Sequence, residues 1–276
     1  MKPGCNLVIH WSDKLPVAMA MVMLSRATRI EDVHIVGNFT SDSIKCDTTH
    51  ALPEAERLLE LFDKLEKEEK EKKEKLLKIS YLNVRSIKSW IGKREDVLKD
   101  DLLLEADILC LAETWLEEGQ KFDLNGYEGH FSNGGKGKGV AGFSKIKLIS
   151  QPETVSNKQY SAVSFKTKHF NTIFLYLSNG YDKDSLFHCL DDWIRNDTPT
   201  VIMGDINEDI LAKESKFESY MALKGFCQLI KQPTSDKGSL IDHIYVNNLM
   251  NSKKIEVEQA PVYYSDHDVI TLYISK

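Results

Sequence analysis

Thr200-Val201-Ile202-Met203-Gly204-Asp205-Ile206-Asn207 reads as a short apolar run that ends in two polar residues. A run of this length, bounded by turn residues and rich in β-branched side chains, predicts a strand covered on both faces. Ala106–Ala112 has the same character, and Lys78–Val84 is a shorter β-rich run. Between such runs lie stretches with helical spacing. Residues 87–104 place Ile87, Trp90, Ile91, Leu98 and Leu102 on one stripe, and Ser185–Ile194 does so with Leu186, Leu190 and Trp193. Further strands are expected at Gly139–Phe143, Ser161–Phe165 and Thr172–Leu177, and near residues 240–246, 255–259 and 268–274. One more helix is expected near 213–223. Paired strands with flanking helices predict an α/β sandwich of mixed sheets.

Working outward, the chain divides into three parts. Residues 1–52 are apolar and then mixed, 53–77 form a connector, and 78–276 carry the strand–helix alternation. The connector starts at Pro53, a good first helical position. It then becomes almost pure Lys and Glu, with opposite charges at i,i+4 as in Glu66–Lys70 and Glu71–Lys75, which predicts a solvated charged helix. The apolar stretch Pro16–Leu24 is far shorter than the ~20 residues that cross a bilayer, so no membrane association is expected.

Composition narrows the function classes. The chain has 276 residues, 42% hydrophobic and 28% charged, with a formal net charge of −6. That excludes a generally basic nucleic-acid binder but not a metal-centred enzyme, whose site itself needs clustered carboxylates. Five cysteines, Cys5, Cys46, Cys110, Cys189 and Cys227, show no CxxC spacing. A zinc cluster or secreted disulfide framework is therefore not expected, and an intracellular, reducing location such as the nucleus is.

Polar residues at strand ends carry the chemistry, because strand ends hold side chains rigidly. Asn83 ends the first strand of the third part and Glu113 the second. Asp205 and Asn207 end the quoted run. Asp242 lies in Leu240-Ile241-Asp242-His243-Ile244-Tyr245-Val246, and Asp266-His267 precede the last strand. Each alone is explained by a turn or a cap. Together, over ~185 residues, they supply the hard oxygen ligands and acid–base groups of metal-assisted phosphoester hydrolysis.

This ordered set resembles the endonuclease/exonuclease/phosphatase family, which includes apurinic endonucleases and endonucleases of non-LTR retrotransposons. Asn83-Val84-Arg85-Ser86, Ala112-Glu113-Thr114-Trp115, Gly139-Val140-Ala141 and Pro233-Thr234-(x)5-Leu240-Ile241-Asp242 are similar to the mobile-element branch. The resemblance implies a four-layer sandwich of two mixed β-sheets flanked by helices. It implies Glu113, Asn83 and Asp266 at a Mg²⁺ site, with Mn²⁺ as the alternative ion. It implies Asp205 as the group acting on the attacking water, Asn207 holding phosphate or water, and His267 donating to phosphate with Asp242 fixing its imidazole. Tyr176 matches a phosphate-contacting tyrosine. Arg85, Lys136, Lys138 and Asn179 are the expected substrate contacts. Some repair enzymes carry an acidic residue where Arg85 stands, which weighs against abasic-site repair.

The glycine run Gly134–Gly139 does not fit GxxxxGK[ST], because Val140 follows Gly139, and predicts a lysine-bearing hairpin. Val22-Met23-Leu24-Ser25-Arg26 resembles the last motif of RecD- and Pif-like superfamily 1 helicases, which would make Arg26 a nucleotide-contacting residue. A helicase C-terminal-like fragment before such an endonuclease resembles Helitron-type polyproteins, so the missing helicase portion is an expected partner. No phosphate-loop lysine motif occurs, so ATP hydrolysis by this chain alone is not expected. The expected activity is nicking of DNA. RNA or a small phosphoester are the other substrates considered, and a catalytically silent binding relic is the reading from another class. Oligomeric state is left open.

Overall fold

A computed structural model describes residues 76–88, 93–195, 197–247, 249–250 and 253–275, residue 64, and the backbone of two short strands near the N-terminus. The chain divides into two compact units, Met1–Lys72 and Lys73–Lys276. In the first, β1 (Leu7–His10) and β2 (Val33–Val36) pair in parallel, Leu7 opposite Val33. The apolar stretch Pro16–Leu24, Arg26, and the connector apart from helical Lys64 and from residues 76 and 77 lie outside the described residues.

The second unit is built on two six-stranded sheets. One runs β13 (Ile255–Ala260), β14 (Val269–Ser275), β3 (Leu76–Asn83), β4 (Ile108–Ala112), β6 (Val140–Ser144), β5 (Glu128–Ser132). The other runs β11 (Phe226–Gln228), β12 (Asp242–Asn247), β10 (Thr200–Asp205), β9 (Asn171–Leu177), β8 (Tyr160–Lys166), β7 (Glu153–Ser156). Both are mixed: β3–β4 and β9–β10 are parallel, while the other pairings are antiparallel.

Period-2 alternation sorts the side chains into layers. In β3, Leu77, Ile79 and Tyr81 enter the core between the sheets, while Leu82 faces outward. In β10, Val201 and Met203 face the same core and Ile202 faces out. Neither outer face is left wet. Short helices α1 (Lys93–Val97) and α2 (Asp101–Leu104) bury Val97 and Leu103 against the first sheet, helped by Leu116, Phe122 and Leu124. Helices α3 (Lys183–Trp193) and α4 (Lys216–Leu223) cover the second with Leu186, Leu190, Trp193, Phe217 and Met221. The result is a four-layer α/β sandwich, the expected fold class. None of the helices among the described residues is long and apolar enough to cross a membrane.

The structure corrects several boundaries. β3 begins at Leu76, two residues before the expected start and inside the expected connector. The helix expected over 87–104 is not continuous: among its described residues, α1 ends at Val97 and α2 starts afresh. Asp100 caps α2 by accepting from the Leu102 amide at 2.9 Å. In the second unit three strands were not expected: β5, β7 and β11. All are sheet edges, with little apolar alternation to mark them. The three described cysteines, Cys110, Cys189 and Cys227, are free.

Candidate active site

Topology alone brings the strand-end residues to one edge. β3 and β4 are parallel with Asn83 opposite Ala112, so Asn83 and Glu113 leave the sheet side by side. β9 and β10 are parallel with Tyr176 opposite Asp205. β12 is antiparallel to β10, so its first residue, Asp242, pairs with Asp205, the last of β10. β14 runs antiparallel to β3, so Asp266 and His267, just before it, come back to the same end.

Hydrogen bonds join these residues across the gap between the sheets. Asn83 Nδ2 donates to Glu113 Oε1 at 3.0 Å and to Asp205 Oδ2 at 2.9 Å. Its Oδ1 accepts from the Arg85 amide at 2.9 Å, which fixes which way the amide points. Trp115 Nε1 donates to Glu113 Oε2 at 3.1 Å. Asp205, 1% exposed, also accepts on Oδ1 from the Asn207 amide at 3.0 Å. Asp242 Oδ2 lies 2.8 Å from His267 Nδ1. Arg85 Nη1 pairs with Asp266 Oδ2.

Burial and neighbouring charge set the protonation of this group. Asp205 is pushed well above the usual carboxylate range, first by desolvation and then by the charge of Asp242. For His267, desolvation disfavours the charged form, but Asp242, Asp205 and Asp266 overcome it and raise the imidazole to about 9. Tyr176 is raised by burial and by the carboxylates of Glu113 and Asp205, so its hydroxyl keeps its proton.

All five non-glycine residues with positive φ among those described lie at this edge. They are Arg85 (44°), Ser86 (79°), Glu113 (48°), Trp115 (58°) and Asn207 (54°). Each such conformation costs ~1–3 kcal/mol and persists only where its surroundings over-determine it. Strain gathered at one edge of an otherwise regular sandwich marks a place kept for chemistry.

The donor set suits a hard cation. Four carboxylates, from Glu113, Asp205, Asp242 and Asp266, converge here. Asp242 Oδ1 and Asp266 Oδ1 are buried without a hydrogen-bond partner, a costly state that a cation relieves. Asp205, Asp242 and His267 each offer a ligand atom within 4.8 Å of the others. A cation at that trio would compete with the proton that Asp242 holds on His267, whereas Glu113 is only half-buried and has no histidine hydrogen-bonded to it. The Glu113 end therefore fits a metal better.

Other expected residues lie farther out. Asn179 is exposed on the turn after β9. Exposed Lys136 and half-buried Lys138 sit in the β5–β6 hairpin, which is tied to the Glu113 segment by the Trp115 amide donating to the Lys138 carbonyl at 2.9 Å. Three supporting residues were not anticipated. Tyr81 hydroxyl accepts from the Asp205 amide at 2.8 Å and donates to the Leu175 carbonyl at 3.1 Å. Thr234 Oγ1 accepts from the Asp242 amide at 3.0 Å, and Ser265 Oγ donates to the Asn83 carbonyl at 2.6 Å. Tyr81 was open to detection, because period 2 puts it on the same face as Asn83.

Solved structures share this architecture. An AP endonuclease from Archaeoglobus fulgidus superposes with a TM-score of 0.57 at 19% identity, covering 72% of this chain and 100% of its own. A variant of the 3' phosphatase NExo from Neisseria, bound to product DNA hairpin, gives the same score, identity and coverage. The endonuclease domain of TRAS1, a telomere-specific non-LTR retrotransposon, gives 0.52 at 13% identity, covering 72% of this chain and 98% of its own. The sequence matches none of the curated proteins. A family model matches residues 81–267, a span that holds the whole strand-end constellation from Asn83 to His267. The chain thus belongs to the Endonuclease/Exonuclease/phosphatase family, whose members are hydrolases acting on phosphodiester bonds.

Proposed function

We propose that the protein is a Mg²⁺-dependent endonuclease that nicks one strand of DNA, and that it descends from a mobile element. One observation carries this reading: a hydrogen-bonded Asp242–His267 pair and a buried Asp205 lie beside the Glu113–Asn83 pair, on one strained sheet edge. The roles follow from the geometry. Asp205, held by Asn83 and by the Asn207 amide, takes a proton from the attacking water. Its raised affinity for protons suits a base better than an ordinary carboxylate would. His267, with Nδ1 committed to Asp242, presents Nε2–H to a phosphate oxygen and offsets its growing charge. Tyr176 donates its hydroxyl hydrogen to the same phosphate, and Asn207 orients phosphate or water. Glu113 and Asp266, with Asn83 beside them, would hold Mg²⁺, which supplies a Lewis acid for the phosphoryl oxygens. Arg85, Lys136, Lys138 and Asn179 line the approach of the backbone.

DNA is favoured because several structural relatives are named for work on it. Descent from a mobile element is favoured by the TRAS1 likeness and by the motif resemblance. The parallel pairing of β1 with β2 fits a small α/β fragment of helicase type before the nuclease. A nuclear location follows from this reading.

The test is relaxation of supercoiled plasmid by the full chain, with Mg²⁺ or EDTA, beside Glu113→Ala. Metal-dependent nicking that is lost in the variant is the expected result. No nicking by a folded protein that still binds Mg²⁺ would shift the substrate to a small phosphoester. Failure to bind Mg²⁺ would leave only a silent binding role.

A further inference from the structure

Glu208 directly follows Asn207, and its carboxylate gathers donors from two segments, 181–183 and 215–217. Oε1 accepts from the Tyr181 hydroxyl at 2.9 Å and lies 3.6 Å from Lys183 Nζ. Oε2 accepts from Ser215 Oγ at 2.7 Å and from the Phe217 amide at 3.2 Å. The side chain is 12% exposed. Burial opposes its charge, yet these four donors hold its carboxyl below the usual range. A carboxylate so fully engaged is a fixed anchor rather than a surface charge.

What it anchors matters more than the anchor itself. Tyr181 closes the turn after β9 that carries Asn179. Ser215 caps α4 by accepting from the Glu218 amide at 2.9 Å. Asn207 grips the same β9 segment independently, donating from Nδ2 to the Leu177 carbonyl at 2.6 Å. On its other side, its amide donates to Asp205 Oδ1 at 3.0 Å. Asn207 therefore sits, at φ 54°, between an anchor at Asp205 and an anchor at Glu208. A left-handed asparagine with one loose flank would relax, and its amide would swing off the Leu177 carbonyl.

We propose that Glu208 is a positioning residue for the reaction. It holds Asn207 in its left-handed conformation and locks the 178–181 turn to the end of β10, so that the Asn207 amide and Asn179 present one fixed surface to the substrate. This rests on the hydrolytic reading of the same edge. Glu208 itself touches no reacting atom.

The experiment combines Glu208→Gln, Tyr181→Phe, Asn207→Ala and the Glu208→Gln/Asn207→Ala double variant in the full chain. Steady-state cleavage of a labelled DNA duplex with Mg²⁺ is read beside the NMR signal of the Asn207 side-chain amide, assigned by its loss in Asn207→Ala. Glu208→Gln keeps the size of the side chain, so the α4 cap stays packed. It should lower kcat by about tenfold, toward the ~10²-fold that a misplaced group costs, with KM changed less than about twofold. In the Asn207→Ala background the same change should cost almost nothing, because residues acting as a unit are not additive. Tyr181→Phe should follow in the same direction with a smaller loss. Equal losses in both backgrounds would overturn the proposal, since Glu208 would then act through general stability. So would an Asn207 amide signal left unmoved by Glu208→Gln. If the wild-type chain cleaves no DNA, the functional reading fails, and the NMR signal alone decides whether Glu208 sets the Asn207 amide.

Discussion

At the scale of single residues, the site is a set of charges that hold each other in unusual states. Asp205→Ala and His267→Ala should each lower kcat by ~10²–10⁴-fold while leaving the fold intact, as losses of acid–base or charge-stabilising groups do. Single-turnover cleavage rates beside thermal unfolding check both halves of that statement. The raised His267 has a further consequence. A protonated imidazole favoured by folding adds stability that is fully present below its unfolded value, near 6.5, and is lost as pH rises through about 9. Asp205, raised as well, acts with the same sign. In EDTA, the urea midpoint should therefore fall between pH 6.5 and 9, and His267→Gln should flatten the fall. A midpoint that rises across that window would contradict the charged Asp242–His267 pair. The positions brought together here were legible in the sequence because each stands at one end of an apolar run, and strand ends point to one edge. Thr234 and Ser265 were not, because a hydroxyl that supports a neighbour from a loop leaves no spacing to recognise.

At the scale of elements, the central strands were legible and the edges were not. β10 and β4 are wholly buried and announce themselves by unbroken apolarity. β5, with Glu128 and Gly129 exposed, and β7, with three of four residues exposed, resemble loops in sequence because half their surroundings are water. The break between α1 and α2 went unseen because Leu98 and Leu102 keep helical spacing across a cap at Asp100. One glycine has a definite packing role. A Cβ at Gly204 would lie 2.3 Å from the Leu175 carbonyl oxygen of the neighbouring strand, and backbone cannot step aside as a side chain can. Gly204→Ala should cost about 3 kcal/mol or more, the upper end for overpacking. Urea denaturation checks this, and a change under 1 kcal/mol (roughly the low end of that range) would mean that β9 and β10 yield more easily than their pairing suggests.

At the scale of the whole molecule, the two sheets meet through apolar side chains over most of their area and through Tyr81, Asn83 and Asp205 at one end. A cation bound at that end stabilises both sheets at once. Saturating Mg²⁺ should raise the unfolding temperature, with a free-energy gain of ~2.7 kcal/mol at a hundredfold excess over Kd, and Glu113→Ala should abolish the rise. Scanning calorimetry decides it: an equal rise in the variant would place the cation elsewhere. The order of strands has one more consequence. β14 lies between β13 and β3, so the first sheet cannot close around β3 until β14 exists. Ser80 and Thr271, hydroxyl to hydroxyl across that pairing, are 191 residues apart. A ribosome adding ~5–20 residues per second needs roughly ten seconds or more to make the second of them. Asp266 and His267 emerge with that closing strand. A nascent chain still attached near its own transcript therefore has neither a finished core nor a finished set of site residues, and biosynthesis itself keeps the hydrolase silent until it is whole.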